Sequence, residues 1–163
     1  MERRAFIVTG VAVSAAACGG RPGWRFFTAE EARTVEALCA CIIPEDQDAG
    51  AVRAGVVSFI DTQLDGFYKR YRKAYREGIA AIDRESIALG GATFSQLPRE
   101  TQVAFLERTE RNAEMKPFFD LLVAHAMQGF YGDPRHGGNR DRVSWKMLGL
   151  PYPPLRGRRK DNA

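Results

Sequence analysis

The chain has 163 residues, 45% of them apolar and 27% charged, with 24 Lys and Arg against 20 Asp and Glu for a formal +4. That is one domain's length with ample material for a packed core, which excludes a wholly disordered chain, and no apolar run reaches the roughly 18–20 residues of a membrane-spanning helix. Three Cys cannot build a disulfide-dense scaffold, two His do not make an all-protein multi-His metal site, and the mild positive charge permits an anionic partner without requiring one.

The first eighteen residues, MERRAFIVTGVAVSAAAC, have the three-part layout of an export signal. A charged start containing Arg3 and Arg4 precedes an uncharged stretch from Ala5 to Ala17, and small residues stand immediately before Cys18. The stretch is short for a spanning helix. Arg3-Arg4 followed by Phe6 and Ile7 resembles a twin-arginine signal, which implies export in the folded state and a periplasmic location. Cys18 has two readings. Ala15-Ala16-Ala17-Cys18 resembles a relaxed lipobox, whose Cys becomes a lipidated first residue; alternatively the signal is cut around Ala-x-Ala and Cys18 is incidental. Acyl chains at about 0.8 kcal/mol per buried methylene would anchor the protein stably. The expected organisation is a signal over 1–17, a linker over 18–27, a helical domain over 28–154 and a basic tail over 155–163.

The body reads as all-α, a bundle of about five helices. Thr28-Ala29-Glu30-Glu31 is a capping box, and Ala32, Val35, Leu38, Cys39 and Ile42 follow at helical spacing until Pro44. A second helix is expected from Ala51 to Gly66, with Val56, Val57, Ile60 and Leu64 inward. A third runs from Phe67 to Leu89 along an apolar stripe that includes Tyr71, Tyr75, Ile79 and Ile82, and Gly90-Gly91 stops it. Pro98 opens a fourth, with Val103, Phe105 and Leu106 inward; Lys116-Pro117 opens a fifth, burying Phe118, Phe119, Leu122, Ala126 and Phe130. From Gly129 to Asn139 the run GFYGDPRHGGN holds four Gly and one Pro in eleven residues, a shaped loop. No stretch alternates with period two.

Reactive constellations are scarce. Cys39 and Cys41 stand two apart on a helix, roughly 200° around it, so they do not share an ion or bond to each other; small core residues explain them. His125 on the fifth helix reads as a hydrogen-bonded structural residue. His136 and Asp133 are the one pair from which a small enzyme could be built, but Asp133-Pro134 is first a turn starter. Gly137-Gly138-Asn139 lacks the spacing of a phosphate loop. The basic run Lys69, Arg70, Arg72, Lys73 and Arg76 reads as a solvated face, able to steer an acidic protein partner; an exported protein has little occasion to meet nucleic acid. The loop with Tyr131, Asp133, Arg135, His136, Gly137, Gly138 and Asn139, together with Trp145, is either an interface or an internally packed plug.

Several of these segments resemble the small subunit, subunit 3, of the gluconate 2-dehydrogenase family. They are the twin-arginine start, Phe26-Phe27-Thr28, Ile42-Ile43-Pro44-Glu45-Asp46, Phe59-Ile60-Asp61, Gly78-Ile79-Ala80-Ala81-Ile82-Asp83 and Phe94-Ser95-Gln96-Leu97. Most specific is the closing run of Gly129-Phe130-Tyr131-Gly132-Asp133-Pro134, Gly137-Gly138-Asn139, Trp145-Lys146, Leu148-Gly149 and Pro151. The resemblance implies a non-catalytic accessory subunit that carries no cofactor of its own. Its partners would be a large FAD-containing dehydrogenase of the glucose–methanol–choline type and often a membrane-bound multihaem cytochrome c, with the twin-arginine machinery as a transient partner. The flavoprotein, which lacks a signal, would be exported with this chain to the periplasmic side of the inner membrane and would itself read the sugar, sugar acid or polyol substrate. A lipid at Cys18 would add membrane contact that the soluble arrangement lacks. The competing reading is a structural lipoprotein that scaffolds another envelope complex.

Overall fold

The computed structural model describes residues 23–151; the export motif Arg3, Arg4, Phe6 and Ile7, Cys18 and the basic tail lie outside the described residues. Six α-helices and no strand are found among them: α1 Ala29–Ile42, α2 Val56–Asp65, α3 Arg72–Gly90, α4 Arg99–Arg111, α5 Lys116–Tyr131 and α6 Val143–Met147. The all-α expectation holds, and α6 is one helix more than the pattern predicts.

α1 begins where its capping box places it. Thr28 Oγ1 accepts from Glu31 N–H at 3.1 Å and Glu31 returns a carboxylate to Thr28 N–H at 2.8 Å. This helix is the centre of the domain, packing against α2, α3, α4 and α5. Its buried residues, Ala32, Thr34, Val35, Leu38 and Cys39, are mostly small, which lets four neighbours approach. The core they enter contains Ile60, Leu64, Tyr75, Ile82, Phe94, Leu122 and Phe130, all at most 1% exposed.

Two carboxylates organise the chain around α1. Asp61 of α2 is 2% exposed and accepts the backbone N–H groups of Arg25, Phe26 and Phe27 at 2.7, 2.9 and 2.9 Å. Arg76 of α3 closes the same segment from the other side, donating to the Phe26 carbonyl at 2.7 Å, pairing with Glu31 and lying 4.2 Å over the Phe26 ring. Asp83 of α3 accepts from the Thr34 hydroxyl and from Phe94 N–H, tying α1 and the turn before α4 to α3. The Asp in each of the short motifs Phe59-Ile60-Asp61 and Ala81-Ile82-Asp83 is therefore a backbone clamp.

Four expectations are corrected. The second helix starts at Val56, not Ala51: Gly55 sits at φ +70°, and the Ala54 carbonyl is taken by Arg140 N–H at 2.9 Å instead of continuing a helix. The third starts at Arg72, after a 3₁₀ turn over Lys69–Tyr71, because Arg72 turns back to the end of α2, donating to the Leu64 carbonyl and to Asp65, both at 2.7 Å. Phe67 and Leu89, placed on the buried stripe by spacing, are 77% and 57% exposed. On α4 the inward set is Gln102, Phe105, Leu106 and Thr109, and Val103, one position off that face, is exposed.

Replacing Asp61 by Ala orphans three N–H donors at once. A loss of about 3–5 kcal/mol of folding stability is expected from urea denaturation. Asp61→Asn, which keeps one acceptor oxygen, should lose roughly half as much.

Candidate partner-binding site

The specific closing run of the sequence folds as a cap on α5. A helix leaves its last carbonyls without intrahelical donors, and here residues 132–145 supply them. Gly132 N–H donates to the Gln128 carbonyl at 2.9 Å and Asn139 N–H to Gly129 at 2.8 Å. The Trp145 indole N–H donates to Tyr131 at 2.8 Å and the Asn139 amide to Gly132 at 2.9 Å. Asn139 is 0% exposed. Its side-chain oxygen accepts from Ser144 N–H at 3.1 Å, which starts α6, and its φ of +44° is in the left-handed region that Asn tolerates. Gly138 lies so close to α5 that a Cβ there would overlap the Gly129 carbonyl.

The loop divides into two halves. Its inner half, Gly138, Asn139 and Ser144, is an internal plug. Its outer half, Tyr131, Arg135, His136 and Gly137, faces solvent, with Asp133 and Trp145 half-buried. Asn139 and Gly138 act inside the fold, joining the end of α5 to the start of α6. The first three residues of the run, Gly129 to Tyr131, belong to α5.

Asp133 is committed to the loop. It accepts Arg135 N–H at 2.9 Å and the Arg135 guanidinium at 2.6 and 3.0 Å, and these bonds hold its carboxyl down at about 2. Both of its oxygens are thus taken up by Arg135, which pins the turn at Pro134. Cys39 is fully buried and its thiol is pushed up by desolvation. Cys41 is half-buried and accepts from Arg99 at 2.8 Å; burial raises it, against the opposing charge of Arg99. The two thiols are not paired.

Beside the outer half of the loop lies an open apolar cleft of about 780 Å³. α2 supplies Phe59 and Gln63, the α2–α3 connection supplies Phe67 and Tyr68, α5 supplies Met127, Gln128 and Tyr131, and the loop supplies His136. Phe67, Met127 and Tyr131 expose 77%, 42% and 39% of their surface. The sequence singles out Tyr131 and His136, its spacing puts the exposed Phe67 on the buried stripe, and it gives Met127 no special mark. Met127 follows the buried His125 and Ala126 on α5, and that one-residue offset from the core face was the signal available.

The floor of the cleft is rigid for an identifiable reason. Tyr68 stacks on His125 with centroids 4.2 Å apart and planes 7° from parallel, and its hydroxyl bonds Gln128. His125, 3% exposed, is hydrogen-bonded through Nδ1 to the buried Tyr75 hydroxyl at 3.0 Å. Burial, reinforced by the charge of Arg70, holds the imidazole neutral and moves it down to about 4. His125 is therefore the structural residue its position suggested.

These features describe a small all-α domain whose distinctive loop serves its own packing and whose open apolar surface faces outward. A family model, Gluconate 2-dehydrogenase subunit 3, matches residues 29–151, and the chain belongs to that family. Its description places the chain as an accessory subunit within a dehydrogenase complex. Neither the curated proteins nor the solved structures gave a match.

Two outcomes test the geometry. The unfolded chain binds a proton on His125 near pH 6.5 and the folded one near 4, so stability is complete above 6.5 and falls as the pH drops towards 4. The loss is on the order of 3 kcal/mol. In a His125→Phe, Tyr75→Phe double variant, which removes both partners of the bond, that part of the acid slope disappears in denaturation curves at pH 7, 5.5 and 4. Separately, Asn139→Ala strips two buried side-chain hydrogen bonds and is expected to cost about 2–4 kcal/mol, measured by thermal or urea unfolding.

Proposed function

We propose that this chain is the non-catalytic small subunit of a periplasmic, membrane-associated, FAD-dependent dehydrogenase of the glucose–methanol–choline type, and that it carries the flavoprotein through the twin-arginine route. The family match over 29–151 carries this reading. The residue pattern at Arg3, Arg4, Phe6 and Ile7 supports the export role. The commitment of Asp133, His125 and Cys39 to packing supports an assembly role over chemistry. In this reading FAD, and haem c where a cytochrome joins the complex, belong to the partner subunits, and the flavoprotein selects the substrate.

The same layout supports membrane attachment. Arg25 is the first residue held by Asp61, so acylation at Cys18 would tether the folded domain within ~25 Å of the bilayer.

The test is to express the flavoprotein alone, with this chain, and with its Arg3→Lys, Arg4→Lys variant, then assay flavin-dependent dehydrogenase activity in the periplasm. Activity should reach the periplasm only with the wild-type chain. Equal export in all three cases would overturn the carrier role.

A further inference from the structure

The cleft beside the loop has a chemical character that goes beyond general stickiness. Its walls are aromatic and thioether surface, and such rigid, partly exposed anchors are where binding energy concentrates in interfaces. Its floor is prearranged by the Tyr68–His125 stack, so little side-chain ordering is left to be done on binding. Gln63 and Gln128 are the only polar residues of α2 and α5 that line it, and the Gln128 side chain is already engaged by Tyr68.

The charge around the cleft is one-sided. Two carboxylates stand nearby, Asp65 and Asp133, and each holds an arginine, Arg72 and Arg135 respectively. Lys69 and Arg70, on the 3₁₀ turn directly after Phe67 and Tyr68, are exposed and have no carboxylate partner among the described residues. Arg70 is positioned by its guanidinium lying 4.7 Å over the Tyr71 ring.

This local positive charge is not a reflection of the whole chain. Arg3, Arg4, Arg21, Arg156, Arg158, Arg159 and Lys160 lie outside residues 23–151 and are opposed there by Glu2 and Asp161 alone. The formal +4 therefore resides entirely in the two ends, and residues 23–151 carry one more carboxylate than cation. Against that slightly acidic body, the basic lip at Lys69 and Arg70 is a local feature placed next to the exposed aromatics.

We propose that this cleft receives apolar anchor side chains presented on an acidic segment of the flavoprotein subunit, with Phe67, Met127 and Tyr131 gripping the anchors and Lys69 and Arg70 facing the flanking carboxylates. The inference rests on the accessory-subunit reading above and adds to it the place and the chemistry of the contact. Exposed apolar surface continues past Trp145, whose indole is bonded to the Tyr131 carbonyl, into Met147, Leu148 and Leu150. An interface of at least about 1,000 Å², which a stable complex needs, has room to extend there.

The experiment uses the co-expressed complex, with a benzoyl-phenylalanine photo-crosslinker replacing Phe67 in one preparation and Met127 in another. Both positions are expected to capture a flavoprotein peptide of net negative charge. In the same complex, Phe67→Glu should weaken association at least tenfold. A Lys69→Glu, Arg70→Glu double variant should slow association about tenfold at low ionic strength, with the difference collapsing at high salt. Val103→Glu, on α4 and outside the cleft, should change neither. Thermal melts check folding, since Phe67, Lys69 and Arg70 are exposed in the free chain.

Capture of a second copy of this chain, of its own residues 152–163, or of a neutral or basic peptide would overturn the inference. So would a complex that forms normally with Phe67→Glu. A wild-type chain that does not bind the flavoprotein at all would overturn the accessory-subunit reading, and this inference with it.

Discussion

The last carbonyls of α5 have to find donors, and the way they do so shapes the closing third of the domain. The run after Tyr131 folds back and delivers the N–H groups of Gly132 and Asn139, the Asn139 amide and the Trp145 indole to them. That single requirement explains the glycines, which let the backbone approach α5 closely, and the buried Asn, which joins the helix end to the start of α6. It also fixes what is left over. With the inner half of the loop spent on capping, Arg135 and His136 are turned outward, and Tyr131 is held at the edge of the cleft.

A parallel division of labour runs through the rest of the domain. Polar groups that look catalytic in isolation are satisfied by backbone or by one another: Asp61 by three N–H groups, Asp83 by Thr34 and Phe94, His125 by Tyr75, Asp133 by Arg135. Buried polar groups without partners are costly, and satisfied networks make a core unique and stiff. A stiff domain with an open apolar cleft is suited to holding another protein.

Much of the architecture was legible in the sequence. The capping box at Thr28, the stop at Gly91 and the opening at Lys116-Pro117 are local signals, and each helix boundary they mark agrees with the structure. What was not legible depended on distant partners. Gly55 ends the turn before α2 because Arg140, far along the chain, takes the Ala54 carbonyl. Phe67 fits a helical stripe in spacing yet lies in the reversal that Arg72 imposes by capping α2. The site was legible in part for the same reason. The loop stood out by composition, but which of its residues face inward depends on the free carbonyls of α5, and Phe67 and Met127 belong to the cleft only through tertiary packing.

The clamp on residues 25–27 has a mechanical side. A load pulling on the N-terminal end arrives first at three N–H groups gripped by one carboxylate in the middle of α2, with Arg76 bracing the segment from α3. Bonds to a common acceptor take strain together, so the segment must slip as a unit before α1 can be unwound. A body hauled by its front end through a narrow passage would resist being peeled open there, and its central helix would be shielded from the force.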